Sequence, residues 1–233
     1  MASTNRSLEC LEMTSDHTEG AGESGLRSQS AADPGEIAAL YDRWAAADYD
    51  ADLEAWNYQA PARAAGIVAE ALADTAGARI LDAGCGTGLV GAALRALDAG
   101  HIVGGDFSPS SVDVARTSGV YDDVAHLDLN DRLDYPDATF DAVASIGVFS
   151  YLTDSRATID ELLRIVVPGG TVVFTQRTDL WDEREFDSII AELVDGHRCT
   201  AVVSDVAPYL PGHPEFGEEI GIRYVTLQRT AST

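Results

Sequence analysis

Lysine is missing from this 233-residue chain: all 15 basic side chains are arginines, set against 39 aspartates and glutamates for a net charge of −24. A polyanionic partner such as DNA or tRNA therefore meets net repulsion, because affinity for phosphate backbones comes largely from Lys and Arg displacing counterions. Cysteine is scarce as well. Cys10, Cys85 and Cys199 are too few and too scattered for a disulfide framework or a zinc cluster. The five histidines show no metal-ligand spacing, so no metal is expected. No apolar run approaches the ~18 residues of a membrane span, and no apolar core region follows Arg6, so the N-terminus does not read as a secretory signal. These absences leave a soluble cytoplasmic protein as the expectation. A surface this rich in acid repels itself at low ionic strength and is screened in concentrated salt. A salt-rich cytoplasm and a Lys-poor, high-GC genome both account for it.

What is present falls into three stretches. Residues 1–33 are rich in Ser, Thr, Glu and Gly, with few large apolar groups, and read as a disordered tail. Asp33-Pro34 then opens a helix running towards Ala47, and a second runs over 52–73 with Ala64, Ile67, Val68, Ala71 and Leu72 on one face; Pro61 kinks it or starts its main segment. From Arg79 the pattern alternates. Strands are expected at 79–83, 101–106, 124–129, 140–145 and 171–176, with helices at 89–97, 109–117, from Asp154 to a stop at Pro168-Gly169-Gly170, and around Phe186 to Leu193. Alternation at these lengths means βαβ units, an α/β protein with a parallel sheet covered on both faces. Two last strands, 200–206 and 222–228, have no helix between them and are read as antiparallel. The loop 207–221 joins them, carrying Pro208, Pro211 and Pro214.

Leu81-Asp82-Ala83-Gly84-Cys85-Gly86-Thr87-Gly88 is the most informative segment. A buried strand runs into three glycines and then a helix, the arrangement that lets a ligand approach the backbone at the carboxyl end of a sheet. The dinucleotide pattern G-x-G-x-x-G is not met, since the third glycine comes one residue early and Leu89 stands where that pattern has Gly. Asp82, two residues before the first glycine, suits a positively charged ligand group better than a pyrophosphate. Asp106 ends the second strand 18 residues after Gly88, near the ~20 expected of an acid that holds a ribose. Phe107 follows it and can lie against an adenine ring; Asp128, ending the third strand, can accept from the adenine amino group. Cys85 is read as a small filler that contributes its backbone.

Together these residues resemble the class I S-adenosylmethionine (SAM)-dependent methyltransferases, small-molecule members and the Williams-Beuren-region methyltransferase-like group included. The resemblance covers about 36–229 and rests on LDAGCGTG, GGDFSPSSVDVAR, HLDLND, FDAVASIGVFSYL and the Leu-Arg-x-x-x-Pro-Gly-Gly-Thr stretch at 163–171. It implies a Rossmann-like, seven-stranded, mostly parallel sheet of order 3-2-1-4-5-7-6, with an antiparallel terminal strand and helices on both faces. It divides the chain at 34–233 into N-terminal lid helices (34–75), a core (78–206), and the loop with the last strand (207–233).

By the same resemblance, SAM is the cofactor. It is held by Asp82, Gly84, Cys85, Gly86, Asp106, Phe107, Asp128 and Leu129, with backbone groups at Ser145 and Ile146 facing the methionine amine and Tyr41 and Tyr49 folding over the methionine end. The implied activity is methyl transfer to a small-molecule acceptor, with a non-catalytic SAM-binding protein and an NAD-dependent oxidoreductase as alternatives. Many small-molecule members have a His after strand four, where this chain has Phe149-Ser150-Tyr151, and no general base is visible. His213, Tyr209 and Tyr151 are the side chains considered for reaching an acceptor.

Overall fold

The computed structural model describes residues 46–214, 216, 217 and 219–231. The expected tail (1–33), most of the first expected helix and Tyr41 lie outside them. In chain order the helices are α1 (Ala46–Ala55), α2 (Ala60–Ala71), α3 (Leu89–Arg95), α4 (Pro109–Ser118), α5 (Ser155–Ile165) and α6 (Phe186–Asp195). The strands are β1 (Arg79–Ala83), β2 (His101–Asp106), β3 (Asp123–His126), β4 (Phe140–Ser145), β5 (Val166–Arg177), β6 (Cys199–Val203), β7 (Ala207–Pro208) and β8 (Gly221–Arg229).

The sheet runs β3-β2-β1-β4-β5-β8-β6, with β7 paired to β8 off that path. Pairs from β3 through β5 are parallel, and β8 lies antiparallel to β5, β6 and β7. The expected order is met once the two-residue β7, unforeseen inside the loop 207–221, is set aside.

Side chains alternate across the strands because successive Cβ atoms point to opposite faces. Leu81, Val103, Val143 and Phe174 join Ile159, Leu162, Phe186 and Leu193 of α5 and α6 on one face. Ile80, Ile102, Ala142 and Val173 meet Ala64, Val68, Val90 and Leu94 of α2 and α3 on the other. Both faces are closed, as a parallel sheet requires.

Local sequence sets most boundaries. Ser108 and Asp154 cap α4 and α5, accepting from the N–H groups of Ser111 and Ala157. Pro61 stands in the first turn of α2, so the stretch expected as one helix is two, broken at 56–59. Pro168-Gly169-Gly170 does not stop α5. The chain turns extended at Val166, and Arg229 donates to the carbonyls of Arg164 and Val166 at this junction. The third strand ends at His126, earlier than expected, so Asp128 lies beyond it.

Candidate functional site

β1 delivers the chain into a loop built on three glycines of positive φ. Gly84, Gly86 and Gly88 have φ of +83°, +53° and +110°, a region closed to most side chains. A Cβ on Gly84 would also lie 2.3 Å from a methyl of Val148. The loop is stitched to the end of β2: Gly84 and Cys85 N–H groups both donate to the Gly105 carbonyl, and Gly86 N–H donates to Asp106 Oδ2 at 2.8 Å. Asp106 Oδ1 accepts from Ser108 N–H at 2.9 Å. Burial lifts the Asp106 carboxyl above its usual range, and those two N–H groups oppose the rise.

A cavity of about 270 Å³ opens at this carboxyl end of the sheet. Of the residues expected at the site, Tyr49, Gly84, Cys85, Gly86, Asp106, Phe107, Asp128, Leu129 and Ile146 line it. Asp128 Oδ1 accepts from the backbone and side-chain N–H groups of Asn130. Cys85 is buried and its thiol is pushed up by desolvation, so it is no nucleophile at neutral pH.

Three of the residues considered for the site stand off the cavity wall. Asp82 is fully buried and does not line the cavity; Tyr121 donates to its Oδ2 at 2.6 Å, and its Oδ1 has no hydrogen-bond partner among the described residues. Asp82 stands one residue before the end of β1, on the sheet face it shares with Ile80, where Tyr121 covers it. Ser145, also fully buried in β4, is likewise off the cavity wall. His213 is buried against Trp56 and Phe216, with ring centroids 4.4 Å from each, and is not at the cavity.

Sequence reasoning missed Thr87, Tyr58 and Leu53, all in the cavity wall. Thr87 Oγ1 donates to Asp50 Oδ1 of α1 at 2.6 Å, tying that helix to the glycine loop. Tyr151 and Tyr209, considered earlier, are lining residues. Burial raises the phenol pKa of Tyr49, Tyr58 and Tyr209, so these hydroxyls stay protonated at neutral pH. The arrangement offers a backbone cradle, two carboxylates and an aromatic wall. Among the described residues, no group of three His, Cys, Asp or Glu side chains is placed to hold a metal, and no helix is long and apolar enough to cross a membrane.

Residues 81–174 match the sequence family described as a methyltransferase domain. The chain is 38% identical over 144 residues to human methyltransferase-like protein 27, covering 60% of this chain and 57% of that protein. It is 36% identical over 157 residues to a demethylmenaquinone methyltransferase of Clavibacter sepedonicus, covering 65% and 62%. The chain thus spans about three-fifths of the length of either relative. Among solved structures, the cyclase SpnF superposes with a TM-score of 0.60 at 21% identity, over 73% of this chain and 81% of that one, a likeness of fold alone.

Proposed function

We propose that this chain, a class I SAM-dependent methyltransferase by sequence family and fold, transfers a methyl group from SAM to a small-molecule acceptor bound in the cavity under α1. The observation that carries the reading is the glycine loop held against Asp106. Left-handed glycines free the loop from side chains, and the space beside Gly86 is open, with no atom within 4 Å of where its Cβ would stand. These residues fit the cofactor: Asp106 and Asp128 supply acceptors for ribose and adenine, and Phe107 an aromatic side chain for the base. SAM, when bound, supplies a methyl group already activated by its sulfonium.

The chain's own part is then positioning and exclusion of water. A nucleophile held in line near 3 Å gains most of its rate from proximity and orientation. Tyr49 and Leu53 of α1 wall the cavity from one side, and Tyr209 of the 207–221 loop from another. A cavity of about 270 Å³ in a chain of charge −24 favours a small acceptor over a nucleic acid.

Calorimetry with SAM, S-adenosylhomocysteine and NAD tests the first half. Binding of the first two without the third is expected, and tight NAD binding with none of SAM overturns the proposal. Methyl-labelled SAM incubated with a cell extract tests the second half: label must pass to a low-mass compound, and a cofactor that binds but never loses its methyl marks a sensor instead.

A further inference from the structure

Four tyrosines from four places in the fold meet at this cavity: Tyr49 from α1, Tyr58 from the turn before α2, Tyr151 from the turn after β4, and Tyr209 from the 207–221 loop. The rings of Tyr58 and Tyr209 meet edge to face with centroids 5.8 Å apart. The Tyr58 hydroxyl lies against Gly147, 3.0 Å from where a Cβ would stand. The other titratable groups in the lining are Cys85, Asp106 and Asp128; no Arg, His or Glu is among the described residues that line it. The Arg177 guanidinium lies 6.0 Å from the Tyr209 ring, outside the lining, and is held by Asp179 through contacts of 3.0 and 2.5 Å.

We infer that the acceptor is a small amine, methylated on nitrogen; the inference rests on the methyltransferase reading above. An uncharged amine brings its own lone pair. The nitrogen forms the new N–C bond with that pair, the C–S bond of the donor breaks with its electrons going to sulfur, and the positive charge passes from sulfur to nitrogen. Where the nitrogen carries hydrogen, the proton then leaves to water, so the wall need not accept it. An alcohol must instead surrender a proton as the bond forms, and the titratable groups among the described residues of the wall are phenols, a buried thiol, and Asp106 and Asp128, the two carboxylates given above to the cofactor's ribose and adenine. A carboxylate or phosphate acceptor would find no Arg or His among the described residues of the wall to receive its charge. Aromatic side chains attract an ammonium, and do so more strongly when water is excluded.

The test titrates the S-adenosylhomocysteine complex of the full chain with three probes of similar size: benzyltrimethylammonium, benzyl alcohol and phenylacetate. The ammonium is expected to bind most tightly. The Tyr209→Leu variant should weaken it about tenfold, and Tyr209→Phe by clearly less. Phenylacetate or benzyl alcohol binding as tightly as the ammonium, or no binding of the ammonium, overturns the amine. Failure of S-adenosylhomocysteine itself to bind fells the methyltransferase reading instead, so the two failures are distinct. In turnover with an amine set, the inflection of the rate against pH should move with each amine's own pKa. An inflection that stays fixed across the set identifies a base in the chain and overturns the inference.

Discussion

The Tyr121 hydroxyl donates to Asp82 Oδ2 at 2.6 Å, from a loop 39 residues along the chain into the buried heart of β1. Desolvation raises the Asp82 carboxyl to about 7, with the Tyr121 hydrogen bond opposing the rise. Its folded pKa therefore lies above its unfolded one. Between roughly pH 4 and 7 the folded chain holds a proton that the unfolded chain has lost, so the Asp82 contribution to stability falls as pH rises through that window and levels off above it. From pH 5.5 to pH 8 the loss is ~2 kcal/mol. Urea unfolding of wild type and Asp82→Asn at both pH values checks it. The wild type should lose more stability than the variant on going to pH 8, and equal losses would contradict the assignment.

The Tyr121 ring reaches Asp82 by passing two glycines. A Cβ on Gly91 would lie 2.5 Å from the ring, and one on Gly104 would lie 3.1 Å from it. Gly91 is inside α3, where Gly→Ala ordinarily stabilises a helix by ~1 kcal/mol. Here the sign reverses. Gly91→Ala should destabilise the fold by ~1–3 kcal/mol through overpacking. In a Tyr121→Ala background the same change should turn neutral or stabilising. Denaturant midpoints for the four proteins of this cycle give the answer, and a Gly91→Ala effect that ignores Tyr121 would show that the ring is not what excludes the methyl.

Asp106 performs two tasks at once, holding Gly86 and Ser108 by their N–H groups and presenting its carboxylate at the cavity. Asp106→Ala removes a charged acceptor from both. SAM affinity should fall by ~1–3 kcal/mol, about five- to 150-fold, measured by calorimetry. An unchanged affinity would remove Asp106 from the cofactor site. Gly84→Ala should weaken SAM as well, since it strains the backbone at φ +83° and drives a methyl into Val148.

Much of this was legible in sequence where the signal is local. The glycines of LDAGCGTG make the turn at the end of β1 that the sequence places there, and the strand-helix alternation gives the parallel core with its antiparallel end, while the strand order follows from the family resemblance. The position of Asp82 two residues before Gly84 says how near it is to the loop, and nothing local reports that Tyr121, 39 residues along the chain, covers its carboxylate. Tyr58, Thr87 and Leu53 went unseen for the same reason. They enter the wall through contacts between α1, the turn before α2 and the loops, and no local pattern reports a pairing such as Thr87 with Asp50, 37 residues apart. Its place in the Pro-rich loop suggests that His213 reaches an acceptor. Packing between Trp56 and Phe216 gives it a structural place instead.

That packing makes α1 and the 207–221 loop one body. Leu53 and Trp56 share a cluster with Leu210, Phe216 and Ile220. Gly212 N–H donates to the Trp56 carbonyl at 3.1 Å, and a Cβ on Gly212 would lie 2.8 Å from the Ala55 carbonyl. The Thr87–Asp50 hydrogen bond fastens this body to the glycine loop. A hydrogen bond to a charged group contributes ~1.5–3 kcal/mol, and the partly buried setting keeps it from being fully replaced by water. In Thr87→Val, amide exchange across 49–58 should quicken by about tenfold, the kinetic equivalent of ~1.4 kcal/mol of lost local stability. Thr87→Ser should restore it, while amides of β4 and β5 should stay as slow as in the wild type. Exchange in 49–58 that is the same in Thr87→Val as in the wild type would mean that α1 is held by the Trp56 cluster alone.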